Sequence, residues 1–287
     1  MANHILLDVL ETRKRLIDQA LLDRLPDAEA EPQHVHEAMH YATLGPGKRL
    51  RPILSTIVAE LSGRPIEDVL DAACAIEFVH AASLILDDLP AMDNSPHRRG
   101  QKSTHIVYGE ATSILSAMGL IAMAFELVTR NAETTTPESV ATVNRHLAAV
   151  IGTEGIIYGQ HVDLTQSPGD ASLDELERVY RGKAAGLFMA SMIIPAHLLS
   201  LSDEQREALE RYAADVGLAF QITDDLIDAQ TQGEDDGKTT FSTHLGDAGA
   251  QDKVSSLIDE AIGALTPFGE AAEPLRLLAE HLRTRHV

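Results

Sequence analysis

The sequence predicts an all-α fold, and three observations lead to this prediction. Apolar residues recur at helical spacings of three and four along most of the 287-residue chain. No run of alternating apolar and polar residues is long enough to indicate a sheet. Aromatic residues make up 4% of the chain and tryptophan is absent, while alanine and leucine are abundant. Such a composition favours packed helices over strands.

The helices can be placed in order from their apolar spacing and from the residues that end them. Val9, Leu16 and Leu21 recur at helical spacing in a first helix, which a polar loop containing Pro26 and Pro32 follows. A second helix, 34–44, ends at Gly45-Pro46-Gly47. The remaining predicted helices are 53–61, 65–87, 110–131, 137–158, 173–199, 203–230, 247–265 and 271–284.

No segment rich in Pro, Gly and Ser divides the chain, so we predict a single domain over residues 1–287. Three loops separate the longer helices, and 231–242 is the most distinctive. It is acidic, contains glycine and carries Lys238 near its end. Because functional lids are drawn from such surface loops, we predict that 231–242 closes over a site.

Charge and cysteine content exclude several classes of protein. The chain carries 44 acidic and 23 basic residues, a net charge of −21, whereas nucleic-acid and anionic-membrane binding need surplus Lys and Arg. Acidic residues interrupt the N-terminus where a signal peptide needs an apolar run, and Pro195 and His197 interrupt the longest apolar stretch. We therefore expect no nucleic-acid partner and no stable membrane insertion. The single cysteine, Cys74, fits a reducing compartment, so we predict a cytoplasmic protein.

Two aspartate-rich segments interrupt apolar helices: the first acidic segment is 86–93 and the second acidic segment is 220–228. Like charges four residues apart destabilise a helix by roughly 0.2–0.5 kcal/mol, so chance clustering on a solvated face explains one segment more easily than two. The alternative is a set of oxygen ligands for a hard cation such as Mg²⁺. Pro90 prevents a regular continuation of the first helix, so Asp93 can fold back beside Asp87, while Asp224 and Asp228 share a helix face. The candidate metal ligands are Asp87, Asp88, Asp93, Asp224, Asp225 and Asp228.

Basic residues are scarce, so their grouping near the acidic segments is informative. Residues 47–52 read Gly-Lys-Arg-Leu-Arg-Pro, Arg98-Arg99 follows the first acidic segment, and Lys183 and Lys238 lie further along. A solvated face is the alternative for any single basic run. Because Lys and Arg bind phosphates directly, the acidic and basic groups together predict two diphosphate sites, one held through metal and one by cations.

These motifs resemble those of the trans-polyprenyl diphosphate synthases of the farnesyl and geranylgeranyl type. The matching stretches follow the family order over most of the chain: GKRLRP (47–52), AIEFVHAASLILDDLPAMDN (75–94), RRG (98–100), YGEA (108–111), GQHVDL (159–164), FQITDDLID (220–228) and GKTT (237–240). The resemblance implies a helical bundle of the isoprenoid-synthase fold around a central cavity, usually as a homodimer. It also implies head-to-tail elongation of an allylic diphosphate with isopentenyl diphosphate.

By the same resemblance, the six aspartates would hold three Mg²⁺ ions on the allylic diphosphate, and two lysines would act with them in catalysis. The residues that would contact that diphosphate directly are Arg98, Lys183, Gln221 and Lys238. Those that would hold isopentenyl diphosphate are Lys48, Arg51, His80 and Arg99. A lone helix histidine is usually structural, but His80 lies two turns before Asp87 on the same helix face.

Two departures from the family pattern concern the allylic pocket. Ala184 stands where the family often has threonine, and residues 117–119 read Ala-Met-Gly where many members have Gly-Asp-Ala. Neither departure touches a predicted metal ligand, so we expect a prenyltransferase. The competing prediction, a non-catalytic subunit of the same fold, would require loss of part of an acidic motif or a basic cluster.

Small residues before the first acidic segment predict the product length. A helix rises about 5.4 Å per turn, roughly one isoprene unit. Ala82 and Ser83 lie one turn before Asp87, where related bacterial farnesyl diphosphate synthases usually have a bulky aromatic residue at the Ala82 position. We therefore expect a deeper tunnel and a C20 product, geranylgeranyl diphosphate, with the C15 farnesyl product as the alternative. The predicted chain-length residues are Phe78, Val79, Ala82, Ser83 and Met118.

Overall fold

A computed structural model describes residues 2–130, 135–165, 172–232 and 240–284 of the chain. Within these ranges, the side chains of residues 2–9, 183, 184 and 228–232 are not described. Most of the predicted lid, 231–242, including Lys238, lies outside the described residues.

The chain divides into two compact units. The N-terminal unit comprises Asp8–Leu147 with His197–Leu199, and the C-terminal unit comprises Ala148–Ala196 and Ser200–Val287 with Met1–Leu7. Helices form nearly all of the regular structure in the described ranges, which confirms the all-α prediction. The single domain over 1–287 stays a prediction.

The N-terminal unit contains the first acidic segment and the GKRLRP motif. Its elements are α1 (Ala2–Arg24), α2 (Gln33–Leu44), α3 (Leu50–Leu61), a 3₁₀ turn (Ile66–Val69), α4 (Leu70–Asp87), β1 (His97–Arg98), β2 (Gln101–Lys102), α5 (Thr104–Tyr108), α6 (Glu110–Arg130) and the start of α7 (Pro137–Ile151). The hairpin of β1 and β2 and the short α5 were not predicted, because they are too short to show a periodic pattern.

Helix α4 is the core of this unit. Every residue from Ala72 to Ala82 is buried, and the helix packs against α3 and α6. A helix that is apolar on all sides is stable only when it is enclosed in this way. Two polar residues, Glu77 and His80, are buried with it, and the helix ends at Asp87. The core therefore places the first acidic segment at a fixed helix end.

The C-terminal unit contains the second acidic segment. Its elements are α8 (Ile156–Thr165), α9 (Leu173–Tyr180), a π-helical turn (Arg181–Ala185), α10 (Gly186–Leu198), α11 (Asp203–Gln232), α12 (Phe241–Ala264), a 3₁₀ segment (Thr266–Ala272) and α13 (Glu273–Arg283). Helix α11 packs against α12 and against the π-helical turn. A Cβ added at Gly217 would lie 2.8 Å from the Cβ of Ala185, so this close helix approach requires glycine.

One predicted helix is wrong in its extent. The segment predicted as a single helix, 137–158, consists of α7 and α8 separated by a turn around Gly152 and Gly155. A Cβ at Gly155 would lie 2.1 Å from the carbonyl oxygen of Val150, so the chain reverses too tightly there for any larger residue.

Two helices in the described ranges are long and apolar enough to cross a membrane, judged by length and composition alone. The segment Ile66–Asp87, which includes α4, is 72% buried within the protein, as expected for a core helix. Helix α6 is only 39% buried, so much of its apolar surface is uncovered in a single chain.

Candidate functional site

The first acidic segment folds back on the end of α4. The amide of Asp93 donates to the carbonyl oxygen of Asp87 at 2.9 Å, and the amide of Ser95 donates to that of Asp88 at 3.2 Å. Asn94 adopts a left-handed conformation with φ of 48°, which asparagine tolerates better than most residues. This return brings the main chain at Asp93 beside Asp87, as the position of Pro90 predicts.

Asp88 is buried and paired with Arg98. The Arg98 Nε and Nη2 atoms donate to the same carboxylate oxygen at 2.9 and 2.5 Å. Burial disfavours the charged guanidinium, but Asp88, then Asp87 and Asp93, outweigh it and raise the Arg98 pKa. Arg98 therefore lies in the electrostatic field of all three aspartates of this segment.

Arg99, the next residue, turns to a different partner. It occupies the tight turn between β1 and β2 with φ of 51°, and its Nη2 atom lies 3.0 Å from Nε2 of His80. The Nη1 atom of Arg51 lies 3.4 Å from the same nitrogen. Because guanidinium groups only donate hydrogen bonds, His80 Nε2 must be an unprotonated acceptor.

The surroundings of His80 keep it neutral. Burial is the largest cause that lowers its pKa well below the usual value, and Arg51, Arg99, Arg49 and Arg98 lower it further. The exposed Lys48 belongs to the same basic run. The N-terminal unit thus brings together three of the four residues predicted to hold isopentenyl diphosphate: Arg51, His80 and Arg99.

A neutral buried histidine makes stability depend on pH. Below about pH 6.5 the unfolded chain binds a proton that folded His80 does not bind, so stability falls with pH by about 1.4 kcal/mol per unit down to the depressed pKa. We expect His80→Gln, which keeps an acceptor, to reduce this acid loss. Urea unfolding at pH 7, 6 and 5 measures it, and equal pH slopes for both proteins would contradict a neutral His80.

The second acidic segment lies towards the C-terminal end of α11. Asp224 and Asp225 are half-buried, and Gln221 lies one turn before Asp225 on the same face. The Tyr180 hydroxyl donates to Oδ2 of Asp225, and burial, followed by that carboxylate, raises the tyrosine pKa. Tyr180 therefore orients a candidate metal ligand and remains a hydroxyl donor at neutral pH.

One of the two predicted lysines of this unit, Lys183, lies in a π-helical turn. Residues Arg181–Ala185, which include Lys183, form this turn between α9 and α10, and such turns are frequent at functional sites. Arg181 pairs with Glu177 of α9 at 2.8 Å and approaches Asp215 of α11 at 3.9 Å. These two contacts connect the π-helical turn to neighbouring helices of the same unit. The side chains of Lys183 and Asp228 belong to those the structure leaves undescribed.

Four of the five predicted chain-length residues lie on α4. Phe78, Val79 and Ala82 are buried, and Ser83 is half-buried with its hydroxyl donating to the carbonyl oxygen of His80. Met118 is different, since it is 62% exposed on the outer face of α6. Its place in the lining of a tunnel stays a prediction.

Two residues at the candidate sites, Tyr180 and Arg49, were not predicted from the sequence. Tyr180 directly precedes the Arg181-Gly182-Lys183 run, and Arg49 stands inside GKRLRP. Their positions next to predicted residues are the only sequence signal for them. Their roles depend on tertiary contacts with Asp225 and with Asp18 and Glu77, respectively, which a single sequence does not show.

The acidic segments are suited to Mg²⁺ by donor type. Among the side chains that the structure describes, no group of three or more His, Cys, Asp or Glu residues converges as a preformed metal site. Mg²⁺ commonly takes only one or two protein carboxylates and fills its other positions with water and substrate phosphate oxygens. Since all three aspartates of the first segment act on the Arg98 cation, they can serve a metal–diphosphate group in the same way.

Comparisons with known proteins identify the family of the chain. The family model described as polyprenyl synthetase matches residues 32–262. A chloroplastic geranylgeranyl pyrophosphate synthase from Capsicum annuum is 36% identical over 94% of this chain and 75% of the relative. A heterodimeric geranylgeranyl pyrophosphate synthase large subunit 2 from Arabidopsis thaliana is 37% identical over 94% of this chain and 74% of the relative.

A solved structure gives the same result for the fold. The apo structure of an FPP/GFPP synthase from Zymomonas mobilis superposes with a TM-score of 0.91 and 36% sequence identity, and covers 99% of this chain and 100% of its own.

Proposed function

The chain belongs to the polyprenyl synthetase family and is a prenyltransferase, and from this premise we propose that it makes geranylgeranyl diphosphate. The reaction is head-to-tail elongation of an allylic diphosphate with isopentenyl diphosphate. One observation carries the assignment of substrates to sites. The adjacent residues Arg98 and Arg99 turn apart, one to Asp88 and the other to His80. Asp88 with Arg98 at the end of α4, and His80 with Arg99 two turns earlier, are therefore separate pairs, which supports an acidic site and a neighbouring cationic site.

The allylic diphosphate belongs at the acidic site. Asp87, Asp88 and Asp93, with Asp224, Asp225 and Asp228, would hold Mg²⁺, for which we propose three ions. When bound, Mg²⁺ neutralises the diphosphate and stabilises the negative charge that develops on it as it leaves. Arg98, Lys183, Gln221 and Lys238 would contact the same diphosphate, and Arg98 must then exchange at least part of its bond to Asp88 for a phosphate oxygen.

Isopentenyl diphosphate belongs at the cationic site, where Lys48, Arg51, His80 and Arg99 would hold it. A neutral His80 accepts from Arg51 and Arg99 and so fixes the direction of both guanidinium groups before substrate arrives. The allylic C–O bond breaks, and its electron pair leaves with the diphosphate. The double bond of isopentenyl diphosphate then forms the new C–C bond, and the proton lost from that unit passes to the released diphosphate.

The experiment that tests this function is a product assay with Mg²⁺, isopentenyl diphosphate and C5, C10 or C15 primers. We expect a C20 product from each primer and diphosphate release only when isopentenyl diphosphate is present. Products that stop at C15 would show a farnesyl diphosphate synthase, and C25 products would match the wider activity named for the Zymomonas mobilis relative. Binding of both substrates without turnover would show a non-catalytic subunit.

We further propose a homodimer formed through the outer face of α5 and α6. Ile106, Val107, Ile114, Leu115 and Met118 are large apolar side chains exposed there, from 41% to 62%. Several large apolar side chains exposed on two packed helices are typical of a protein interface. A second copy of the chain is the proposed occupant, while the Arabidopsis thaliana relative is named as a subunit of a heterodimer. With one buried cysteine and net charge −21, we propose that the dimer is cytoplasmic.

Leu115→Asp tests the homodimer. Leu115 is 54% exposed, so a monomer tolerates the charge, whereas burying an unpaired carboxylate at an interface costs several kcal/mol. We expect the wild type to sediment as a dimer and the variant as a monomer with unchanged helix content. Glu126→Asp, at an exposed acidic residue of the same helix, is the control. A wild type that sediments as a monomer at micromolar concentration would contradict the proposal.

A further inference from the structure

Arg49 is the one arginine of the GKRLRP motif that is buried. Its side chain is 3% exposed, whereas Lys48 is exposed and Arg51 is half-buried. Its guanidinium group bonds three acceptors on different parts of the N-terminal unit. Nε donates to Asp18 at 2.7 Å, Nη1 to Glu77 at 2.8 Å and Nη2 to the carbonyl oxygen of Gly45 at 2.9 Å.

These bonds join α1, the end of α2 and the middle of α4 through one side chain. Asp18 lies in α1, Gly45 directly follows α2, and Glu77 lies in α4. The backbone of Arg49 is left-handed, with φ of 52° and ψ of 30°, at the residue that precedes α3. Because L-residues other than glycine rarely adopt this conformation, the side-chain bonds hold a turn that the backbone alone disfavours.

The left-handed turn at Arg49 positions Lys48 and Arg51, the basic residues that precede and follow it. A Cβ added at Gly47 would lie 3.0 Å from Nη1 of both Arg49 and Arg99, so the loop passes closely between the two guanidinium groups. Glu77 lies one helical turn before His80, which bonds Arg51 and Arg99. A movement of Arg49 would therefore shift the main chain at Lys48 and Arg51 relative to His80.

The two carboxylates also balance the charge of the cluster. Burial disfavours the charged form of Arg49, but Glu77 and Asp18 outweigh it and raise the Arg49 pKa. Burial lowers the pKa of Arg99, and Glu77 opposes that change while Arg49 and Arg98 add to it. Glu77 thus lets several arginines lie close together in the absence of a phosphate ligand.

We propose that Arg49, clamped by Asp18 and Glu77, is a positioning residue for the isopentenyl diphosphate site. The clamp sets Lys48 and Arg51 for the diphosphate group, while Arg49 itself does not contact it. The Arg49 Nε, Nη1 and Nη2 atoms each already donate to a protein acceptor, and its side chain is buried. This inference rests on the proposed function of the same site.

The double variant Arg49→Gly with Glu77→Gln tests the clamp. It removes the guanidinium, supplies the residue that a left-handed turn favours, and leaves no buried carboxylate without a partner. We expect the KM for isopentenyl diphosphate to rise about ten-fold, as for loss of a charge-assisted hydrogen bond, with kcat and the allylic KM changing less than about two-fold. Arg49→Lys, which keeps the charge and can reach one carboxylate, should recover part of the affinity.

Asp71→Asn is the matched control. Arg24 and Asp71 also join α1 to α4, through a bond of 2.6 Å, but they take no part in the cation cluster. We expect this variant to leave all three kinetic constants unchanged. An equal rise of the isopentenyl diphosphate KM in Asp71→Asn, or a rise of both substrate KM values in the double variant, would show general loosening and overturn the proposal.

Asp18→Asn is the second variant, for use if the double variant fails to fold. It removes only one half-buried charge. Unchanged isopentenyl diphosphate affinity in this variant would also overturn the clamp. Calorimetric titration of isopentenyl diphosphate without an allylic substrate separates the two proposals. A wild type that makes no elongated product refutes the proposed function, whereas the titration still shows whether the clamp sets a diphosphate site.

Discussion

Asp87→Asn is expected to lower kcat by about 10²–10³-fold, the loss typical when one group that stabilises developing charge is removed. The amide has the shape of the carboxylate but no charge with which to hold Mg²⁺. Helix α4 ends at Asp87, so its dipole repels the carboxylate, whereas Arg98 attracts it. These effects oppose each other, and we expect the free energy of unfolding to change by less than about 1 kcal/mol. Diphosphate release at saturating Mg²⁺ and urea unfolding without metal measure both quantities.

The other end of the same helix supplies the control. Asp71 lies in the first turn of α4 and pairs with Arg24, so both the helix dipole and the ion pair favour its charge. Asp71→Asn should cost about 0.5–1 kcal/mol of stability and leave kcat unchanged. If Asp87→Asn keeps kcat within about three-fold of the wild type, Asp87 is not one of the catalytic residues. The fall in kcat would then be far smaller than the fall seen when a group that stabilises developing charge is removed.

The sequence predicted the helices best where one strong pattern decides the structure. The continuous apolar run of α4 and the long periodic run of α11 were placed to within a few residues at their functional ends. The division between α7 and α8 was missed because an isolated glycine is tolerated within a helix. The tight approach of Gly155 to the main chain at Val150, in the turn that separates the two helices, is a tertiary feature that the sequence does not show. The π-helical turn that contains Lys183 has no periodic signature of its own.

For the candidate sites, the sequence named the residues but not the side-chain pairings between them. Motif spacing and the family resemblance together named the aspartates, His80 and the basic residues near them as candidates. They did not predict that Arg98 pairs with Asp88 while Arg99 pairs with His80, because the left-handed turn at Arg99 decides which way each side chain points. They also gave Arg49 no role distinct from its neighbours, since burial against Asp18 and Glu77 depends on how α1 and α4 pack.

Ala82→Tyr is expected to shorten the main product from C20 to C15. Ala82 lies five residues before Asp87 on α4, so a phenol ring there should close the tunnel about one helical turn below the allylic diphosphate, roughly one isoprene unit. Chromatography of products made from the C5, C10 and C15 primers measures the change. The C15 primer should bind without being elongated, while the rate with the C5 primer should stay close to that of the wild type.

The complete burial of Ala82 makes this prediction demanding. A tyrosine there must either enter a tunnel or push neighbouring helices apart, and overpacking of a filled core costs about 1–3 kcal/mol. Ala81→Tyr is the control, because Ala81 is also buried but lies about 100° around the helix. If Ala82 faces the tunnel, only Ala82→Tyr shortens the product, and it loses less stability than Ala81→Tyr. If both variants lose stability equally and both still make C20, Ala82 is an ordinary core residue, and another residue sets the product length.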